Sequence, residues 1–142
     1  MRMSGSEPKS QEPSARMVLW IEDDPVFLQE LFRVWRPDFE VKTATSTTEA
    51  LSILVNSVPD LICLDLSLPH HLATVNDEEG FALLTAIRTQ RRLDAPIAVV
   101  TRHTDPTVRD RALELGADAV VTKPVKIEHL EGVLTSLLAK RH

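Results

Sequence analysis

The chain contains no tyrosine, a single cysteine and only four glycines. Each shortage removes a class of protein. One cysteine excludes an internal disulfide and fits a reducing compartment. Cys63 lies inside the apolar run Leu61 to Leu64, the setting of a buried free thiol rather than a nucleophile. Gly5, Gly80, Gly116 and Gly132 are too scattered to build a glycine-rich phosphate cradle, and neither a Walker A loop nor a dinucleotide fingerprint is present. No segment reaches the roughly 18 consecutive apolar residues that a membrane-crossing helix needs. The first residues lack the apolar centre of a signal peptide. No basic run interrupts a formal net charge of -5, which argues against a nucleic-acid surface. His70, His71, His103, His129 and His142 form no zinc motif. A cytoplasmic location is expected.

What is present suits one globular domain. The 142 residues are 43% apolar and 26% charged. Residues 1–15 carry Ser, Pro, Glu, Lys and Gln with almost nothing to bury, so they read as a flexible tail before a domain over 16–142. From Met17 onward, short apolar runs alternate with amphipathic stretches. Strands are expected at Met17 to Ile21, Phe39 to Thr45, Leu61 to Leu64, Ile97 to Val100 and Ala119 to Val121. The first helix is capped by Asp24 with Pro25 in its first turn, carries Val26, Phe27, Leu31, Val34 and Trp35 as its apolar stripe, and ends before Pro37. Ser46 with Glu49 reads as a capping box for a second helix bearing Ala50, Leu51, Leu54 and Val55. Asn76 and Glu79 are candidate caps for a third helix that reaches about Arg91. Asp105 and Pro106 open a fourth, which stops at Gly116; a fifth runs from about Ile127 to Ala139. Strand–helix alternation of this kind implies an α/β fold with a parallel sheet covered on both faces. Five strands fit a flavodoxin-like (βα)5 arrangement in the order 2-1-3-4-5.

Ligands of such sheets bind beyond the carboxyl ends of the strands. Glu22, Asp23 and Asp24 follow the first strand, Asp65 the third, Thr101 the fourth and Lys123 the fifth. These side chains should converge on one sheet edge. Clustered carboxylates repel, and oxygen-only ligands favour a hard divalent ion, Mg²⁺ above others. Glu22, Asp23 and Asp65 are its natural ligands. Lys123 and the Thr101 hydroxyl are placed to hold phosphate oxygens, with Asp65 as the nucleophile. Asp24 is more simply the cap of the next helix.

The residues that carry these roles resemble the receiver domain of bacterial two-component response regulators, over about Arg16 to Leu138. "VLWIEDDP" is similar to the family's first strand and acidic pair, which here are Glu22 and Asp23. "PDLICLDLSLP" resembles the strand that ends in the phosphoacceptor, Asp65. "IAVVT" assigns Thr101 as the switch hydroxyl, and "LGADAVVTKP" assigns Lys123. The resemblance implies a phosphoryl group taken onto Asp65 from a histidine kinase or a histidine phosphotransfer protein. It also implies Mg²⁺-dependent self-phosphorylation and self-dephosphorylation without turnover of a free substrate. Output passes to a downstream protein target. A receiver fold used purely as a non-phosphorylated binding module is the alternative. Only four residues follow Leu138, so output by protein contact is expected, with no nucleic acid and no membrane involved.

Three departures stand out. The position three before Lys123 is usually aromatic in the family, and here it is Val120. An aromatic switch cannot operate there, so a monomer or weak dimer is expected. Arg102 follows Thr101 where a small residue is usual, and His103 comes next. The connection from His70 to Glu79 is long for a strand-to-helix turn and reads either as a passive surface insertion or as a specificity element at the rim of the site.

Overall fold

A computed structural model of the protein describes residues 17–22, 24–34, 40–66, 78–90 and 92–139. The elements are β1 (Met17–Ile21), α1 (Pro25–Val34), β2 (Glu40–Ala44), α2 (Thr47–Asn56), β3 (Leu61–Asp65), α3 (Glu78–Thr89), β4 (Ile97–Thr101), α4 (Pro106–Glu114), β5 (Ala119–Thr122) and α5 (Ile127–Ala139). The strands form one five-stranded sheet in the order β2-β1-β3-β4-β5, with every pairing parallel. This is the expected flavodoxin-like (βα)5 arrangement.

β1, β3 and β4 are buried along their whole length because helices cover both faces. Pleating divides their side chains between two apolar clusters. Leu19, Ile21, Ile62, Leu64, Ile97 and Val99 face the layer that holds Leu54, Leu84, Ile87 and Ala112. Val18, Trp20, Leu61, Cys63, Ala98 and Val121 face the other, with Leu31 of α1 and Leu130, Leu134 and Leu137 of α5. Cys63 is fully buried, and that burial pushes its thiol pKa up, so it stays an inert packing group.

Local signals set the helix starts. Asp24 Oδ1 accepts from the Val26 and Phe27 amides ahead of Pro25. Asp105 Oδ1 accepts from Thr107 N at 2.9 Å ahead of Pro106. Ser46 Oγ accepts from Glu49 N at 3.1 Å. The Glu49 carboxylate, however, turns to the amide and hydroxyl of Thr45 instead of completing a capping box with Ser46. That contact takes Thr45 out of β2, which ends at Ala44 instead of Thr45; Phe39 lies outside the described residues. Two expected stripe residues prove exposed. Val26 is 63% and Val55 61% accessible. Each lies one position off the buried row, since Leu31 and Leu54 already occupy the inward face and a step of one residue turns the helix by about 100°. Three strands run one residue beyond expectation, to Asp65, Thr101 and Thr122. The tail over 1–15, Arg16, Trp35, Pro37, Asn76 and Arg91 lie outside the described residues.

At the amino end of the sheet, Arg88 of α3 ties three segments together. Its Nε and Nη2 donate to Gly116 O, its Nη1 to Leu93 O and Ala95 O, and its Nη2 also to Asp118. Asp118 accepts in turn from Ile97 N, the first residue of β4. Gly116 adopts φ 117, and a Cβ there would meet Arg88 Cγ at 2.7 Å. The close approach and the left-handed backbone both demand glycine.

Arg88→Ala strands several carbonyls that the guanidinium now serves. It is expected to cost about 2–4 kcal/mol of stability. Arg88→Lys should recover little, because an ammonium cannot span the fork of acceptors. Urea unfolding checks this: the midpoint should fall with an unchanged slope. A loss below about 1 kcal/mol would show that water replaces the guanidinium.

Candidate functional site

The carboxyl edge of the sheet gathers the expected side chains through a simple device. The residue just past a strand end continues the backbone ladder. Glu22 N donates to Ala44 O at 2.9 Å, Leu66 N to Val100 O at 3.1 Å and Lys123 N to Thr101 O at 2.7 Å. These bonds seat Glu22, Asp65 and Lys123 at the carboxyl ends of β1, β3 and β5. Pleat alternation then sends all three toward the α1/α5 side, in step with Trp20, Cys63 and Val121. The strand order reverses between β1 and β3, so Glu22 and Asp65 flank the switch point of the sheet.

The Lys123 ammonium lies 3.0 Å from Glu22 Oε1 and 3.5 Å from Asp65 Oδ2. The Lys123 side chain is 8% exposed and both carboxylates are fully buried. Of the two carboxylates, Glu22 is the closer partner. Nothing in the spacing distinguishes the two carboxylates, because the choice is made by how β1 and β3 sit side by side. The ammonium also rests 4.3 Å from the centre of the Phe27 ring, a contact that sequence reasoning missed. The Glu22 pKa is pushed up to about 8 by burial first, then by the charge and hydrogen bond of Asp65, with Lys123 opposing. Glu22 Oε2 also accepts from Asp24 N at 3.2 Å.

Thr101 ends β4, and the pleat sends it toward the layer of Ile97 and Val99 instead of the α1/α5 side that holds Glu22, Asp65 and Lys123. It is buried, and its Oγ1 accepts from His103 N at 3.1 Å. Asp24 caps α1 as expected, and its second oxygen meets Arg102 Nη2 at 3.8 Å. Asp23 lies outside the described residues, as do residues 67–77 of the long connection. Glu78 and Glu79, read as part of that connection, form the first turn of α3. Gly80 explains how the helix returns so close to the site: a Cβ there would meet Leu66 O at 2.5 Å. Arg111 of α4 reaches Glu78 with both guanidinium nitrogens, at 2.8 and 3.2 Å, and lies 4.2 Å over the Phe81 ring. That pairing holds the Glu78 carboxyl below its usual range. Val120 packs partly buried against the core, and its carbonyl accepts from Arg109 Nη1 at 3.2 Å.

Two buried carboxylates and a lysine thus meet beyond the carboxyl ends of the strands of a five-stranded parallel sheet. Residues 18–135 match the response regulator receiver domain, and the chain belongs to that family. The transcriptional regulatory protein PrrA of Mycobacterium leprae is 34% identical over 129 residues, which cover 90% of this chain and 52% of PrrA. The chain spans about half the length of the curated relatives it matches. Among solved structures, a signal receiver domain of a signal transduction histidine kinase from Syntrophus aciditrophicus is 29% identical, with a TM-score of 0.72 over 89% of this chain and 92% of that one. The receiver domain of the Francisella response regulator 1452 shares the fold at 21% identity, with a TM-score of 0.76 over 89% of this chain and 99% of that one.

At about pH 9, above the raised Glu22 pKa, two buried carboxylates sharing one ammonium carry uncompensated repulsion, so the comparison is made there. Asp65→Asn leaves a one-to-one Glu22–Lys123 pair and is expected to raise metal-free stability by about 1 kcal/mol, roughly 4 °C in midpoint. Lys123→Met does the reverse, leaving both carboxylates without a cation at a cost of about 3 kcal/mol. Thermal unfolding in a chelator compares the three proteins. An Asp65→Asn protein less stable than wild type would mean that the triad is a net stabiliser.

Proposed function

We propose that Asp65 accepts a phosphoryl group from the phosphohistidine of a histidine kinase or a histidine phosphotransfer protein. The observation that carries this reading is the buried Asp65 carboxylate at the switch point of the sheet, 3.5 Å from Lys123 and beside Glu22. The Asp65 carboxylate oxygen attacks phosphorus as the phosphorus–nitrogen bond of the donor breaks, and the imidazole departs with a proton. An aspartyl phosphate forms. Lys123, held between two carboxylates, turns from Asp65 to a phosphoryl oxygen while Glu22 keeps it in place. The Thr101 hydroxyl uses a lone pair on His103 N, so its own proton is left to donate to a second phosphoryl oxygen.

Family membership implies a divalent cation, Mg²⁺. Among the described residues, no group of three or more His, Cys, Asp or Glu side chains is placed to hold a metal ion. The donor chemistry nonetheless fits a hard cation: Glu22 and Asp65 are buried carboxylates side by side, and the raised Glu22 pKa records their need for positive charge. Asp23 would complete the set. When bound, the ion would neutralise charge that builds on the phosphoryl oxygens. Discharge by water returns Asp65 to its carboxylate and releases inorganic phosphate.

The signal then leaves by protein contact, toward a downstream target. Val120 has no aromatic side chain to rotate, so the movement of Thr101 is transmitted by packing. No helix among the described residues is long and apolar enough to cross a membrane. The reading is of a protein that works in the cytoplasm as a monomer or weak dimer.

Incubation with acetyl phosphate, with and without Mg²⁺, followed by intact mass measurement tests the reading. One added phosphoryl group is expected, dependent on Mg²⁺ and absent in Asp65→Asn. An unmodified wild type would leave a receiver fold used purely as a binding module. An equal gain in Asp65→Asn would place the acceptor elsewhere.

A further inference from the structure

Arg102 is the first residue past β4, and the pleat that buries Thr101 on one side turns Arg102 to the other. That is the side of Ala98 and Val121, and therefore of Glu22, Asp65 and Lys123. The contacts agree with this placement. Arg102 and Lys123 line one cavity of about 540 Å³, together with Asp24, Phe27, Pro124 and Ile127.

The two cations stand at different depths and are held with different strength. Lys123 is 8% exposed and already shared between Glu22 and Asp65. Arg102 is 52% exposed, and it reaches Asp24 Oδ2 at 3.8 Å, near the outer limit for an ion pair. A pair this open to water contributes little and exchanges readily. Asp24 does not depend on it, because the other oxygen of the carboxylate is committed to the α1 amides.

An incoming phosphoryl group adds about two negative charges to an edge that already holds Glu22, Asp65 and Asp24. Lys123 cannot leave Glu22 without exposing a buried carboxylate, so it has one direction to offer. A guanidinium at the mouth of the cavity presents a planar fork of donors that matches phosphate oxygens. We propose that Arg102 is a phosphoryl-capturing residue: it leaves Asp24 and binds non-bridging oxygens, first of the anionic donor and then of the phosphoryl group on Asp65. Its substrate class is any phosphorylated donor whose phosphoryl group is exposed enough to enter the cavity, small acyl phosphates included. This inference rests on the reading of Asp65 as the phosphoacceptor.

Arg102→Ala and Arg102→Lys separate capture from structure. Three quantities are read on each folded protein. The first is the second-order rate of phosphorylation by acetyl phosphate. The second is the affinity for beryllofluoride, a stable phosphoryl mimic, followed by amide NMR signals at saturating Mg²⁺. The third is the affinity for Mg²⁺ alone. Arg102→Ala is expected to lower both the rate and the beryllofluoride affinity by about tenfold. Mg²⁺ affinity should stay within about twofold, because the residue meets the anion and not the metal. Arg102→Lys should recover part of both losses. Added salt should slow wild type more than Arg102→Ala, since an exposed cation is screened. Wild-type rate and beryllofluoride affinity in Arg102→Ala would overturn the capture role and leave Asp65 as acceptor. So would a fall in Mg²⁺ affinity equal to the loss of beryllofluoride affinity. A wild type that neither gains a phosphoryl group nor binds beryllofluoride overturns the acceptor reading and the capture role together.

Discussion

The ammonium of Lys123 lies between Glu22 and Asp65, and the rest of the carboxyl edge is arranged around that contact. Glu22 and Lys123 are 101 residues apart in the chain, on strands separated by β3 and β4. Bringing them to 3.0 Å requires the sheet to be correctly ordered and twisted, so the contact reports the whole topology. It also crowds two buried carboxyl groups against one ammonium, and that crowding together with burial pushes the Glu22 pKa up to about 8. A proton on Glu22 or further positive charge relieves it.

Backbone ladder bonds anchor the residues of the triad. Glu22 and Lys123 each donate one ladder bond past the end of their strand, and Leu66 does the same for Asp65. The side chains are therefore aimed by the same hydrogen bonds that hold the sheet. Gly80 lets α3 press against Leu66, and Arg111 fastens the start of that helix to α4 through Glu78 and Phe81. A change at Asp65 thus meets a packed connection to α4. The ordinary aromatic route through position 120 is replaced by a half-buried valine whose carbonyl is held by Arg109. Opposite the site, Arg88 performs the corresponding closure at the amino end of the sheet.

Much of this was legible in the residues themselves. Short continuous apolar runs marked four strands, and a partly alternating run marked the second. Asp24, Ser46 and Asp105 marked helix starts because capping is a local event that involves amides two or three positions away. The candidate residues Glu22, Asp65, Thr101 and Lys123 stood out because a parallel sheet collects whatever follows its strands. Val26 and Val55 misled because apolar composition does not say which side of a helix a given core can cover. β2 ended early because the Glu49 carboxylate, not a neighbouring strand, captured Thr45.

Sequence alone determined the order of elements, the family and the set of polar groups at the carboxyl edge, since all of these depend on short-range patterning. The tertiary structure decided which partner each group takes. Lys123 binds Glu22 more closely than Asp65, Phe27 lies beneath the ammonium, and Arg102 reaches Asp24 across the mouth of a cavity. Those choices turn on ångström differences between strands that lie far apart in the chain. Only the packed sheet, with its register and pleat, sets distances of that kind.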